Sequence, residues 1–233
     1  MQIPDFHAKI GLMKNEILTH GIETYPLQIN DCGVSEYRQI LQLQHELVEK
    51  RRNNEIPNTV IVVEHPAVIT LGVRQSANKL LVSADELTKQ NIDVVNIRRG
   101  GGTTAHNAGQ LVFYPILDLK QLSFGISEYI RELEAIGREL LFYFGLETDA
   151  KKGFPGLWIG ERKIASIGVR VSKFVTYHGM AININNDLGL FDYIQPCGLE
   201  NVEMTSLYKE TGKKNSMGLI KKHLSQLLVR HFS

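Results

Sequence analysis

The sequence predicts an α+β fold, a mixed and mainly antiparallel sheet with flanking helices. Three observations predict it. Candidate strands and helices neither alternate strictly nor segregate into blocks, which argues against a regular βαβ array. At 233 residues and 43% apolar content, the chain can bury an ample core. It has no internal repeat, low-complexity tract or linker-like stretch, so residues 1–233 are read as a single domain.

"YPLQI" (25–29) alternates and predicts a first strand. In "VSEYRQILQLQHELVEKRRNN", Tyr37, Ile40, Leu41, Gln44 and Val48 fall near a 3.6-residue period, which predicts a helix. "NTVIVVEHP" and "AVITLG" read as two strands turned at His65-Pro66. "IDVVNIRRGGG" reads as a strand entering a glycine loop, and "GQLVFYPILDL" as a strand with Pro115 near its edge. "SEYIRELEAIGRELLFYFGL" is the strongest helix, with Ser127 as N-cap and Gly145 as stop. "GLWIGERKIASIGVRVS" and "FVTYHGMAININ" read as a strand pair turning near Ser172-Lys173. "MGLIKKHLSQLLVRHF" closes the chain as an amphipathic helix.

Bulk properties exclude several classes. No apolar run approaches the roughly 20 residues of a spanning helix, so no membrane association is expected. Residues 1–23 mix charged and short apolar stretches, unlike a signal or transit peptide, and are read as an N-terminal extension. A formal charge of +1 leaves no footprint for nucleic acid. The two cysteines, Cys32 and Cys197, suggest no oxidising compartment. A reduced, cytoplasmic protein with free thiols is expected.

"RRGGGTTAHNAGQ" is the richest segment. Three glycines let a substrate lie directly on the main chain. Gly100-x-Gly102-x-x-Ala105 satisfies a dinucleotide fingerprint, but a strand follows where that motif needs a helix. No P-loop, H-E-x-x-H or C-x-x-C is present, so neither a nucleotide phosphate site nor a metal site is predicted. His65, His106 and His178 are each ambiguous alone. Cys197 sits between a proline and a glycine, on a turn rather than inside an element. A free thiol has a pKa of roughly 8.5, so its use as a nucleophile needs a nearby cation or base. Lys163 begins an apolar strand segment and, unlike Arg162, is expected to point inward. Sequence separation alone does not bring it to Cys197.

Taken in order, "EHPAVITLG", "RRGGGTTAHNAGQLVFYPI", "GERKIASIGVRV", "YHGMAININNDL" and "IQPCG" resemble the lipoyl(octanoyl) transferase family over roughly Glu64 to Gly198. The resemblance implies the catalytic-domain fold of lipoate and biotin protein ligases. It implies Cys197 as acyl-thioester nucleophile and Lys163 as the lysine that lowers its pKa. The implied substrate-lining loop runs through Arg99, Gly100, Gly101, Gly102, Thr103, Thr104, Ala105 and His106. Two further lining segments are Ser166, Ile167 and Gly168, and Gly179, Met180 and Ala181. The chain departs from the family's usual "TYHGPGQ" at Ala105, Asn107 and Ala108, which replace an aromatic residue, a glycine and a proline.

The implied reaction moves octanoyl from octanoyl-acyl carrier protein, through a cysteine thioester, to a lysine of lipoyl domains. The implied acceptors are 2-oxoacid dehydrogenase E2 subunits and the glycine cleavage H protein. Thioester exchange is close to isoenergetic and amide formation is downhill, so no cofactor or metal is implied. The alternatives are an ATP-dependent lipoate-protein ligase, which needs no cysteine, and a non-catalytic acyl-binding module on the same fold.

Overall fold

A computed structural model describes residues 25–196 and 202–233. The N-terminal extension read at 1–23 and the turn holding Cys197 lie outside the described residues. Among the described residues, seven strands form the larger sheet: β1 (Leu27–Val34), β2 (Asn58–Glu64), β6 (Gln110–Ile116), β7 (Asp149–Lys151), β8 (Phe154–Ile159), β9 (Arg162–Ser172) and β10 (Val175–Asn183). Their order is β1-β2-β6-β10-β9-β8-β7. Only β1 and β2 run parallel; the other neighbours are antiparallel. A smaller sheet orders β4 (Asp93–Asn96), β3 (Val68–Leu71) and β5 (Thr103–His106), with β3 parallel to β4 and antiparallel to β5. The expected α+β class, mainly antiparallel with flanking helices, is present.

Side-chain alternation decides which helix covers which face. Val60, Val62, Leu111 and Phe113 point to one side, where α3 (Ile126–Tyr143) and α5 (Met217–Phe232) bury Leu133, Ile136, Leu140, Leu224 and Leu228 against them. Ile61, Val63, Val112 and Tyr114 point to the other, where α1 (Tyr37–Arg52) lays down Tyr37 and Ile40. Burial on both faces explains why β2 reads as an unbroken apolar run. The small sheet forms a further core with Leu87 of α2 (Ala84–Lys89) and Phe191 of a 3₁₀ turn (Gly189–Tyr193). A short α4 (Leu207–Thr211) precedes α5.

Several expectations are corrected. The first strand extends to Val34. β2 and β3 belong to different sheets, so the chain at His65-Pro66 changes sheet instead of closing a hairpin. "GLWIGERKIASIGVRVS" is two strands, β8 and β9, turned at Gly160-Glu161, where Gly160 has φ +56°. The β9–β10 hairpin turns one residue later than expected, at Lys173-Phe174, both with positive φ. The N-cap of α3 is Gly125, whose N–H donates to Glu128 Oε2 at 2.6 Å, and Ser127 lies inside the first turn.

Pro115 lies next to the end of β6, as expected, in the third strand of the seven. It is tolerated because the β6–β10 ladder spans only Gln110↔Asn183 to Phe113↔Met180. Beyond it, the Thr176 hydroxyl donates to the Pro115 carbonyl at 2.6 Å and accepts from the Leu117 N–H at 2.9 Å.

Where that ladder ends, β10 lies directly on β6. A Cβ on Gly179 would stand 2.2 Å from the Phe113 carbonyl oxygen. Gly179→Ala should therefore lift β10 from β6 and cost about 1–3 kcal/mol, as overpacking does, read as a lower urea midpoint. Gly168→Ala should cost less, because its added Cβ meets the Arg99 Cδ at 2.8 Å and the Gly100 carbonyl oxygen at 3.1 Å, neither as close as the oxygen over Gly179. Equal stability of Gly179→Ala and the unaltered protein would contradict this close approach.

Candidate active site

The glycine loop joins β4 to β5 and is fastened on both sides. The Gly72 and Arg74 N–H groups donate to the Gly102 and Gly101 carbonyls at 3.3 and 3.1 Å, and the Gly100 N–H donates to Val169 of β9 at 3.0 Å. Arg99 is buried, and its guanidinium donates to the Thr70 carbonyl at 3.0 Å and the Thr70 hydroxyl at 2.8 Å. Its aliphatic stem lies over Gly168.

Beneath the loop, Gly168 and Gly179 sit opposite each other in the β9–β10 register. Two facing glycines leave a strip of bare main chain between the strands. Around it run a slot lined by Arg99, Gly101, Thr104, His106, Ser166, Ile167, Gly168, Gly179, Met180 and Ala181, together with Tyr37, Val112, Tyr114 and His178. Its open space is about 40 Å³, small against the roughly 300–1,000 Å³ of a ligand pocket, so the slot is narrow.

One wall is a cage of neutral rings. Tyr37 stacks on His106 with centroids 5.8 Å apart and planes 14° from parallel. His65 Nδ1–H donates to the Ser35 carbonyl at 2.7 Å, which leaves Nε2 to accept from the Tyr114 hydroxyl at 2.9 Å. His106 Nδ1–H donates to Gln110 Oε1 at 2.7 Å. His178, with φ +56°, turns its main-chain N–H to Gln44 Oε1 of α1 at 2.8 Å. Burial pushes all three imidazoles below their ordinary value of 6.5: His65 to about 4, His106 to about 3 and His178 to about 3. For His106, neighbouring His65 adds to burial, and for His178 the Arg99 charge does. Burial raises Tyr37 to about 12.

Lys163 occupies the first turn of β9 into the interior and is 2% exposed. Its Nζ donates to the Pro155 carbonyl at 3.2 Å and stands 4.9 Å from the Trp158 ring centroid. Gly156 makes room for it: at φ +130° its Cβ position lies 3.0 Å from Lys163 Cε and 2.2 Å from the Ala165 carbonyl. Arg162 points outward to Glu210, with two bonds of 2.8 and 2.9 Å. The main chain of Lys163 is bonded on both sides to the segment after residue 201. Its N–H donates to Glu203 at 2.8 Å, and its carbonyl accepts from Thr205 at 2.9 Å.

Cys197 lies outside the described residues, but the chain on either side of them is fixed. Before them, the Gln195 N–H donates to Lys79 at 3.1 Å, and the Lys79 N–H donates to the Thr103 hydroxyl at 3.0 Å. After them comes the Lys163 clamp.

Ten of the expected lining residues meet at the slot. Gly100, Gly102, Thr103 and Ala105 do not line it. Gly102 abuts Ala77, Thr103 holds the Lys79 turn, and Ala105 packs with Ile69 and Phe191. Tyr37, Val112, Tyr114 and His178 were missed. Tyr37 reads as an ordinary core position of α1, and only the fold carries α1 across β6 and β10. The alternation in "LVFY" was the available signal for Val112 and Tyr114.

The three histidines give the protein a pH dependence. Unfolded, each titrates near its ordinary 6.5; folded, each stays neutral down to about 4 or 3. The unfolded chain thus binds more protons in between, and stability is full above pH 6.5 and falls as pH drops. Urea midpoints should decline between about pH 6.5 and 5, before most carboxylates titrate, and His65→Gln should flatten the decline. A midpoint constant over that window would refute buried neutral imidazoles.

Comparison with known proteins agrees with this geometry. Residues 36–229 match the lipoyl protein ligase A/B catalytic domain. The chain is 40% identical over 181 residues to the octanoyltransferase of Desulfovibrio desulfuricans, covering 78% of this chain and 76% of that one. It is 37% identical over 209 residues to the mitochondrial octanoyltransferase LIP2 of Arabidopsis thaliana, covering 89% of each. In structure it resembles a lipoate-protein ligase A bound with ATP, with a TM-score of 0.68 at 17% identity over 89% of this chain and 85% of that one. It also resembles the Aquifex aeolicus biotin protein ligase in complex with biotin and ATP, with a TM-score of 0.53 at 17% identity over 88% and 69%. The expected lipoate/biotin ligase fold is therefore present, and the chain belongs to the lipoyl protein ligase A/B catalytic domain family.

Proposed function

We propose that this protein is an acyltransferase of protein lipoylation that carries octanoyl through a Cys197 thioester. The donor is octanoyl-acyl carrier protein. The acceptors are lysines on lipoyl domains of 2-oxoacid dehydrogenase E2 subunits and of the glycine cleavage H protein. The whole chain acts as one catalytic domain with residues 1–23 as an extension, and no cofactor takes part. The relatives named octanoyltransferase support the reaction. The observation that carries the mechanism is a buried lysine whose main chain grips the segment following Cys197.

In the first step the Cys197 thiolate attacks the thioester carbonyl. The tetrahedral adduct collapses to an octanoyl-enzyme thioester and expels the carrier's thiolate. Lys163 as ammonium favours the attacking thiolate. The octanoyl chain enters the slot by displacing the Arg99 stem from above Gly168, and lies on the bare strip between Gly168 and Gly179. In the second step a lipoyl-domain amine attacks this thioester. Lys163, having given its proton to the departing carrier thiolate, accepts one from that amine; the amide forms and the Cys197 thiolate leaves. Main-chain N–H groups near the glycine loop stabilise the tetrahedral oxyanions. The compartment is taken as the cytoplasm; the Arabidopsis relative is named mitochondrial, and imaging a tagged full chain separates the two.

Incubation with octanoyl-acyl carrier protein, without ATP, should add one octanoyl group to the intact mass. Cys197→Ser should abolish both adduct and transfer, whereas Cys32→Ser should leave them unchanged. An adduct requiring ATP and free acid would indicate a ligase, and wild-type turnover by Cys197→Ser would remove the covalent mechanism.

Lys163→Arg keeps a cation but replaces an amine that can release and accept a proton with a guanidinium that cannot. It should acylate and then stall, with aminolysis slowed about 10²–10⁴-fold in single-turnover measurements. Near-normal rates of both steps in Lys163→Ala would refute the pairing with Cys197.

A further inference from the structure

We infer that Asn183 is a positioning residue, the node that ties the acyl slot to the clamp around Lys163. It closes β10 opposite Gln110 of β6, in register, with both side chains buried. Gln110 Nε2 donates to Asn183 Oδ1 at 2.8 Å, and Asn183 Nδ2 donates to the Thr205 carbonyl at 2.9 Å. With His106 Nδ1–H on Gln110 Oε1 and the Thr205 N–H on the Lys163 carbonyl, four hydrogen bonds run from slot to lysine.

The donors all point the same way along that path. Each amide is therefore oriented by its neighbours: reversing one would set two donors or two acceptors against each other. Asn186 Nδ2 adds a second donor to Asn183 Oδ1 at 3.2 Å. Asn183 is 1% exposed and Thr205 is fully buried, so water cannot readily replace the bond between them.

The chain after residue 201 reaches Lys163 through Glu203 and Thr205. Thr205 is tethered a second time by its hydroxyl, which donates to Glu210 Oε1 at 2.6 Å. Glu210 in turn holds Arg162, the residue before Lys163. Asn183 is the tether that arrives from the slot side. Without its Nδ2 donor the Thr205 carbonyl loses its side-chain partner, and the clamp can shift relative to the slot. A displacement of about 1 Å in such a support can cost about 10²-fold in rate.

This inference rests on the proposed octanoyl transfer, and the test separates the two. Asn183→Asp keeps the acceptor for Gln110 and Asn186 but removes the donor to Thr205; Asn183→Ala removes both. Steady-state transfer should show kcat falling by about 10²-fold in each variant. In Asn183→Asp the KM for octanoyl-acyl carrier protein should stay unchanged, and His106 should keep its Nδ1–H tautomer by ¹⁵N NMR. The Thr205 amide should exchange faster in both.

Should Asn183→Ala not fold, Asn183→Asp alone carries the comparison. A folded Asn183→Asp protein with unaltered kcat, or one whose loss lies wholly in KM, would overturn the positioning role. No octanoyl transfer by the unaltered protein would instead overturn the proposed function, and this inference with it.

Discussion

Lys163 places its amino group at a site 2% exposed, where a charge left without partners would cost several kcal/mol. Much of the neighbouring main chain is arranged to meet that cost. Gly156 at φ +130° bends β8 so that the Pro155 carbonyl and the Trp158 face can receive Nζ. A side chain at Gly156 would strike the Ala165 carbonyl, so β8 and β9 approach closely only because that residue is glycine. On the far side the lysine's own N–H and carbonyl recruit the chain at Glu203 and Thr205. The same burial that makes the lysine expensive therefore fixes two unrelated segments against one another.

The slot obeys the opposite rule, because its imidazoles are kept neutral. Among the described residues, Arg99 is the one cation lining it, bonded to Thr70. The nearby imidazoles are held uncharged by burial and, for His106 and His178, also by Arg99. A neutral cage around a glycine strip suits an apolar chain, since charged imidazoles would drag in water. His106 spends its N–H on Gln110, and His65 spends its own on Ser35. Lysine and slot are thus chemically distinct neighbourhoods joined through amide side chains.

The parts of this arrangement legible in the sequence are those set by local pattern. α3 and α5 follow their 3.6-residue periods, and "TVIVV" announces a strand buried on both faces. Lys163 could be expected to face inward because an apolar strand begins with it. The split of β8 from β9 was hidden because Gly160-Glu161 sits among residues that read equally well as a strand end. Thr176 was unreadable as the partner of the Pro115 carbonyl and the Leu117 N–H, because it is remote from both in sequence. Tyr37 and His178 were unreadable as site residues, since what brings α1 over β10 is the packing of entire layers. No local rule states it.

The loop "TTAHNAGQ" shows how the fold decides what a sequence departure means. The missing aromatic residue falls at Ala105, which lies in the small-sheet core beside Ile69, Leu87 and Phe191, not in the slot. The missing proline falls at Ala108, on the exposed tip. Rigidity is supplied by other means. Asn107, where a glycine was expected, donates to the Asp187 carbonyl at 2.8 Å and accepts from Asn186 Nδ2 at 3.1 Å. Gly109, at φ +87°, donates to Glu64 Oε2 at 3.0 Å, and Lys221 holds that carboxylate at 3.3 Å. Hydrogen bonds to β2 and to the chain after β10 thus do what a ring and a proline would do by sterics. His106 and Gln110, on either side of Asn107 and Ala108, keep their bond to each other at 2.7 Å. The departure changes what the loop leans on and leaves the residues facing the slot where the rest of the fold requires them.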